Sequence, residues 1–452
     1  MSVTKRIGIV GAGAAGLIVA KTLRAANFNV TVFEKSNFLG GLWKYSDQTH
    51  TDATLYESLH TNLPTTVMQL SDFPFDKDIP SFPSHTQMLE YLEQYTAHFE
   101  ISEVVQLGCH VERIESVQTA DKSLKVCLHW KKQNKSMVGT FDKVVICNGH
   151  FAKPAYPTIR GMHFFEGMQV HSHDYRTPKL YENKSILLIG KGPSGDDISK
   201  ELVNCGAKEV IVSYPRYNTS DRDSNLEDAS QTSEKRLLKP PIQYIDHDKT
   251  FVFQDGTQCA APDVIMYCTG YQYTVMDLVP DGLLFPNSKA ADGFSSTMQK
   301  SAQFRSIMEE AANGKVVAPL YEHILSIQNP NIAFVGLPSK VVPFLCFELQ
   351  AKWLSAVYKG DLKFTKSEMI QQFWNQVMQS ESAMRKFHVL GTMQPAYMRK
   401  LAMQSNTTLD EKVLDMYDDC AILRKSHPFD YRKAQYHYDV ERKTWTRQRP
   451  AK

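Results

Sequence analysis

Apolar residues gather into two stretches that share one pattern. In the first, Ile7-Gly8-Ile9-Val10 runs into a turn of small residues, then a segment Leu17 to Ala26 with helical spacing, then Val30-Thr31-Val32-Phe33 ending on the acid Glu34. About 180 positions later, Ile186-Leu187-Leu188-Ile189 leads through a second small-residue turn into Asp196 to Cys205 and on to Val210-Ile211-Val212-Ser213. Short unbroken apolar runs bounded by glycine fit strands buried on both faces, and their alternation with a helix predicts parallel sheets. Each stretch has a later apolar run that also ends on glycine, Val144-Val145-Ile146-Cys147-Asn148-Gly149 and Val264-Ile265-Met266-Tyr267-Cys268-Thr269-Gly270, read as late strands of the same two sheets. Phe251-Val252-Phe253-Gln254-Asp255-Gly256 alternates into an Asp-Gly turn and predicts a hairpin. Tyr217 to Lys239 is polar and reads as an exposed loop or short surface helix, and the tail from about Ser367 as helical and polar.

The turns carry the first chemistry. A pyrophosphate needs backbone N–H groups at a helix N-terminus with no side chains in the way, and Gly-x-Gly-x-x-Gly after a strand supplies that geometry. Gly11-Ala12-Gly13-Ala14-Ala15-Gly16 and Gly190-Lys191-Gly192-Pro193-Ser194-Gly195 both have it, each in strand-loop-helix-strand context. Glu34 lies eighteen positions past Gly16, where an acid accepts hydrogen bonds from ribose hydroxyls and repels a 2′-phosphate. The residue eighteen past Gly195 is Ser213, with Arg216 three further on, so the second site lacks the acid, has a base nearby and prefers a 2′-phosphorylated dinucleotide. Lys191, inside the loop, adds a further cation.

Composition narrows the picture. At 452 residues the chain exceeds the ~250–300 that one core usually serves. Its 51 basic against 49 acidic residues leave a net charge of +2, which gives no electrostatic reason to expect nucleic acid or an acidic membrane as partner. Eight scattered cysteines without a Cys-x-x-Cys pair argue against a dithiol centre or zinc knuckle, and no metal site is expected. Met1 to Arg6 is polar and basic rather than an apolar leader, and no window nears the ~20 apolar residues of a spanning helix. The expectation is a cytoplasmic protein without a membrane partner.

Further segments bring a family into view. Phe165-Glu166-Gly167-Met168-Gln169-Val170-His171-Ser172-His173-Asp174-Tyr175 matches Phe-x-Gly-x-x-x-His-x-x-x-Tyr/Phe, the signature of the flavin-containing monooxygenases, and stands just before the second glycine turn. Gly40-Gly41-Leu42-Trp43, Thr61-Asn62, Cys268-Thr269-Gly270-Tyr271, Asn329 to Gly336 and Glu348 to Trp353 extend the likeness over most of the chain. The chain resembles that family, in its soluble, FAD- and NADPH-dependent form. Tyr175 favours the heteroatom-oxygenating branch, since the related Baeyer-Villiger enzymes typically carry tryptophan there. Cys268 stands where the family has alanine.

The resemblance implies an α/β fold of two Rossmann-like dinucleotide-binding domains, the NADPH domain inserted into the FAD domain: residues 1–164 and 275–452 for FAD, the latter with a helical C-terminal region, and 165–274 for NADPH. FAD would be held by Gly11, Gly13, Ala14, Ala15, Gly16, Glu34, Lys35, Gly41, Leu42, Trp43, Thr61 and Asn62; Trp43 either packs on the flavin or is ordinary core. NADPH would be held by Gly190, Lys191, Gly192, Pro193, Ser194, Gly195, Asp196 and Arg216, with Thr61 and Asn62. Phe165, Gly167, His171 and Tyr175 form the signature, His171 as a linker or cofactor-positioning residue. By resemblance, NADPH reduces FAD, dioxygen adds at the flavin C4a carbon, and the hydroperoxide oxygenates a soft nucleophile. That nucleophile is a thioether, thiol or amine, as in an N,N-dimethylaniline monooxygenase. Asn62 is the candidate catalytic donor, because an amide donates a hydrogen bond without titrating; its alternative is an Asx turn before Pro64. Three rival readings remain: a Baeyer-Villiger oxygenase of ketones, a flavin oxidoreductase without oxygen insertion, and a cofactor-bound sensor or interaction protein. A homodimer is left open.

Overall fold

A computed structural model of the chain describes residues 4–49, 53–215, 236–279, 293–378 and 387–448. They form two compact units: unit 1 holds Met1–Lys44, His60–His150 and Gln272–Lys452, and unit 2 holds Tyr45–Leu59 and Phe151–Tyr271. These bounds fall before the sequence boundaries at 164/165 and 274/275, and Tyr45–Leu59 belongs to unit 2, which no local pattern announced.

In unit 1, β1 (Arg6–Val10) feeds α1 (Ala14–Ala25), which returns to β2 (Asn29–Phe33); β3 (Val105–Gln106) and β4 (Lys143–Ile146) follow. The seven-stranded sheet has the order Leu320–Tyr321, Leu325–Ser326, Ile332–Phe334, β4, β1, β2, β3. β1 is parallel to both neighbours, with Val10 opposite Phe33 on one side and Ile146 on the other. Ile7, Ile9 and Val10 are buried because this central strand is covered on both faces, which is why it reads as an unbroken apolar run. α1 buries Leu17, Ile18, Val19, Ala20 and Leu23.

In unit 2, β5 (Met168–His171) is followed by β6 (Ser185–Ile189), α2 (Pro193–Asn204), β7 (Glu209–Ser213), β8 (Arg236–Lys239) and β9 (Val264–Tyr267). The sheet order is β8-β7-β6-β9-β5, parallel throughout. Alternation splits its side chains into two cores: Ile186, Leu188, Val210 and Val212 pack with Tyr56, Tyr175 and Tyr181, whereas Leu187, Ile211 and Ile265 pack with Phe165, Phe251 and Phe253. The sequence reading of a polar loop or surface helix up to Lys239 needs correction at its end, since Arg236–Lys239 is an edge strand paired to β7; residues 217–235 lie outside the described residues. The hairpin reading at Phe251–Phe253 corresponds to a three-stranded antiparallel sheet with Ile242–Ile245 and Gln258–Cys259. The tail contains the helices Gln394–Gln404 and Glu411–Ser426, then a β-hairpin of Gln435–Asp439 and Thr444–Gln448 that the polar composition concealed.

No described helix is long and apolar enough to cross a membrane, and no described His, Cys, Asp or Glu cluster could hold a metal ion. The cysteines are all free thiols.

Candidate functional site

The two glycine turns are built alike. Gly11 has φ +101° and Gly190 φ +109°, left-handed conformations that glycine adopts without strain. A Cβ on Gly11 would lie 2.5 Å from the Cys147 carbonyl oxygen, and one on Gly190 2.3 Å from that of Cys268. The third glycine lets the helix close on the turn: a Cβ on Gly16 would meet the Gly11 oxygen at 1.9 Å, and one on Gly195 the Gly190 oxygen at 2.1 Å. Gly13 and Gly192, the extended residues that precede α1 and α2, offer no side-chain cap, so the first-turn N–H groups of both helices are left for an anion. Nothing lies within 4 Å of a Cβ built on Gly192, so that approach is open. α1 has no acid in its first turn; α2 has Asp196, whose carboxylate accepts from Lys200 Nζ at 2.6 Å and Arg236 at 3.0 Å. These two cations hold its pKa below the usual value despite burial. Both turns therefore fit a pyrophosphate. Pro193 opens α2 with the right φ but brings no N–H.

Around the first turn the described residues assemble a site. Glu34, only 7% exposed, accepts from Ala12 N–H at 2.8 Å and Ser36 N–H at 2.9 Å, one on each carboxylate oxygen, and each oxygen retains room for a second hydrogen bond. Lys35 beside it is exposed. Gly40 N–H donates to the Ala12 oxygen at 3.1 Å, and a Cβ on Gly41 would lie 2.9 Å from Gly13 Cα, so the Gly40-Gly41 bend closes on the turn through glycine against glycine. Leu42 and Trp43 complete a single 3₁₀ turn; Leu42 is exposed, and Trp43 is half-buried against the unit 1 core.

Thr61 and Asn62 lie elsewhere in unit 1. Thr61 N–H donates to the Pro83 oxygen and its hydroxyl to the Leu63 oxygen, while its own carbonyl accepts from Arg432. The Asx turn at Asn62 does not form: the half-buried carboxamide makes no hydrogen bond among the described residues, and the turn-like bond two residues on belongs to Thr61.

The signature residues are structural members of unit 2. Phe165 packs edge-on against Phe251, and Gly167 leaves the space that Phe165 fills. Tyr175 is fully buried and donates to Glu201 at 2.8 Å. His171 ends β5, 1% exposed, and its Nδ1 accepts from His173 N–H at 3.0 Å. Burial, aided by neighbouring His173, pushes its pKa down to about 4, so it is neutral at physiological pH.

Sequence reasoning missed three features. Arg176, 5% exposed, donates to the carbonyls of Ser46, Gln48, Ala53, His173 and Tyr175, which ties Tyr45–Leu59 into unit 2. Gly336, at φ +94°, would place a Cβ 3.3 Å from that of Ala15, and its N–H donates to the fully buried Gln350, which in turn donates to Tyr397. Both residues stand in the C-terminal motifs quoted above, and the structure shows these motifs bracing the first turn.

The third correction concerns register. β6 pairs Ile189 with Ser213 as β1 pairs Val10 with Phe33, so the residue that matches Glu34 is Tyr214, not Ser213. Ser213 is 1% exposed and its hydroxyl is spent on the Pro240 oxygen at 2.9 Å. Lys191, matching Ala12, carries its ammonium over the Tyr214 ring, 4.8 Å from the centroid. Arg216 lies outside the described residues.

Known proteins share this arrangement. A model of the flavin-binding monooxygenase-like family matches residues 4–218. A flavin-containing monooxygenase of Arabidopsis thaliana, FMO GS-OX3, is 30% identical over 95% of this chain and 91% of its own length. FMO GS-OX5 from the same plant is 32% identical over 88% of this chain and 84% of its own. The solved structure of S-allyl-L-cysteine S-oxygenase from Allium sativum superposes with a TM-score of 0.79 at 30% identity, covering 97% of both chains. Tmm from Pelagibacter sp. strain HTCC7211, at 21% identity and a TM-score of 0.75, covers 97% of this chain and 95% of its own and shares the fold. The cofactors that go with the family are FAD and NADPH. With two like glycine turns, each at the carboxyl end of a central parallel strand, and this likeness along nearly its whole length, the chain belongs to the flavin-containing monooxygenase family.

Proposed function

We propose that the protein uses NADPH and dioxygen to oxygenate the sulfur of a small thioether, with FAD on the first turn and NADPH on the second. The observation that carries the assignment is the contrast between the turns: a buried carboxylate at Glu34 in unit 1, an ammonium on an aromatic ring at Lys191 and Tyr214 in unit 2. A carboxylate accepts from ribose hydroxyls and repels a 2′-phosphate; an ammonium does the reverse. Sulfur rather than amine nitrogen is favoured by the Allium relative, whose name makes it an S-oxygenase of a cysteine thioether.

In this reading the N–H groups of Ala14, Ala15 and Gly16, with Gly11 and Gly13 clearing the approach, hold the FAD pyrophosphate, and Glu34 and Lys35 meet its adenosine end. Gly41, Leu42 and Trp43 line the flavin side. Gly190, Gly192, Ser194 and Gly195 hold the NADPH pyrophosphate, with Pro193 setting the helix start and Asp196 kept from repelling it by Lys200 and Arg236. FAD, when bound, supplies electron transfer from NADPH and the activation of dioxygen. Asn62, whose carboxamide is uncommitted among the described residues, would supply an N–H donor beside the flavin without delivering a proton, and Thr61 would meet the nicotinamide cofactor. His171 acts as a neutral positioning group.

The test is Asn62→Ala. The variant retains FAD and consumes NADPH, but sulfoxide formed per NADPH falls by about tenfold or more, hydrogen peroxide making up the difference, as expected when a charge-stabilising donor is removed from a reacting centre. Allyl and methyl thioethers with a peroxide assay run in parallel read both quantities. Unchanged coupling removes Asn62 from the mechanism, and a protein that oxygenates tertiary amines but no thioether overturns the substrate reading.

A further inference from the structure

The internal repeat permits a comparison that residue counting does not. In unit 1 the residue after Phe33 is Glu34, whose carboxylate turns back to accept Ala12 N–H at 2.8 Å. In unit 2 the residue after Ser213 is Tyr214, and the residue matching Ala12 is Lys191. The same corner of the fold thus carries a negative charge in one unit and a positive charge in the other.

We propose that Lys191, held over the Tyr214 ring, is the element that reads the 2′-phosphate of the nicotinamide cofactor, Tyr214 serving as its positioning residue. This rests on the reading of the second turn as the NADPH site. Tyr214 is a fixed platform: it is 7% exposed, and its N–H donates to the Lys239 oxygen at 3.2 Å, which extends the β7-β8 ladder by one residue. An ammonium 4.8 Å from the ring centroid gains cation–π attraction, so the ring limits the wandering of a side chain that otherwise surrenders its rotamer freedom when a ligand fixes it. Ser213 cannot take the role, because its hydroxyl is buried and donates to Pro240. Asp196 does not take the ammonium's place in the field either, since its carboxylate is met by Lys200 and Arg236. A compact ammonium suits a phosphate dianion as a point charge and offers little to a ribose hydroxyl.

The test uses the FAD-loaded full chain and two fragments that differ only in the phosphate, 2′,5′-ADP and 5′-AMP, titrated calorimetrically so that the reading does not depend on turnover. The wild type binds 2′,5′-ADP more tightly. Lys191→Ala weakens 2′,5′-ADP by about ten- to a hundredfold, the size of a charge-assisted hydrogen bond, and shifts 5′-AMP by about twofold or less. Lys191→Ala combined with Tyr214→Glu rebuilds the corner of unit 1 and reverses the preference; its flavin content and circular dichroism verify that it is folded. A Lys191→Ala variant that keeps the full preference, or loses both fragments equally, overturns the proposal while the NADPH site stands. A wild type that does not distinguish the fragments overturns the NADPH reading and the proposal together.

Discussion

Acidification to pH 5 tests the buried pair His323 and His388. Their Nδ1 atoms lie 3.2 Å apart, His388 Nε2 accepts from Val317 N–H at 3.0 Å, and the two rings are enclosed by Phe387, Tyr397 and Tyr273. Burial pushes His323 down to about 4, and His388 lies well below its usual value through burial and the neighbouring His323 and His150. Both are neutral when folded, whereas in the unfolded chain each protonates near 6.5. Between about pH 6.5 and pH 4 the unfolded state therefore binds more protons, and stability falls as pH falls. For a group moved from 6.5 to about 4, the loss is about 2 kcal/mol at pH 5 and about 3 kcal/mol at pH 4. His388, lowered through burial and its imidazole neighbours, adds a loss of the same sign, and the share of His323 alone is large against a typical stability of about 5–15 kcal/mol. Glu348, raised by burial, works in the opposite sense but is one group. All five tryptophans, Trp43, Trp130, Trp353, Trp374 and Trp445, lie in unit 1 with the pair, so tryptophan fluorescence during urea unfolding reports that unit. His323→Asn removes one titration and keeps a residue that tolerates the φ of +55°. It is less stable at pH 7.5, but its loss between pH 7.5 and 5 is smaller than that of the wild type by about 2 kcal/mol. Equal losses in the two proteins, or a wild-type midpoint that does not move over this range, would refute the assignment of neutral buried imidazoles.

Two further outcomes follow from the hydrogen bonds of Glu34 and Arg176. Glu34→Ala removes the acceptor of Ala12 and Ser36 N–H and weakens FAD binding by about ten- to a hundredfold, measured by fluorescence titration of the apoprotein; unchanged affinity places the adenosine ribose elsewhere. Arg176→Met leaves buried carbonyls of unit 2 without their donor, destabilises that unit by about 3 kcal/mol or more, and exposes Tyr45–Leu59 to limited proteolysis; an unaltered digestion pattern contradicts the clamp.

Legibility in the sequence followed the range of the interaction. β1 and β6 could be read because a strand covered on both faces must be apolar throughout, and Gly11, Gly16, Gly190 and Gly195 because a side chain at any of them would strike a carbonyl. Arg176 could not be read: its partners Ser46 and Ala53 lie more than a hundred residues away, and nothing local distinguishes it from a solvated arginine. The same holds for His323 and His388, which meet only in the folded core. The slip from Tyr214 to Ser213 is more instructive. From Gly16 to the start of β2 at Asn29 is 13 steps (29 − 16), whereas from Gly195 to the start of β7 at Glu209 is 14 (209 − 195), so the helix-to-strand connection of unit 2 is one residue longer. A fixed count from the glycine turn absorbs that residue silently and, because strand side chains alternate, lands on the opposite face of the strand from the residue that matches Glu34. Backbone pairing does not slip: Gly11 N–H bonds to Phe33 and Gly190 N–H to Ser213, so the following residues, Glu34 and Tyr214, are equivalent in the two units. On the reading proposed above, the chemistry that separates the two dinucleotides is set where the turn and the strand end meet, by Ala12 with Glu34 in one unit and Lys191 with Tyr214 in the other.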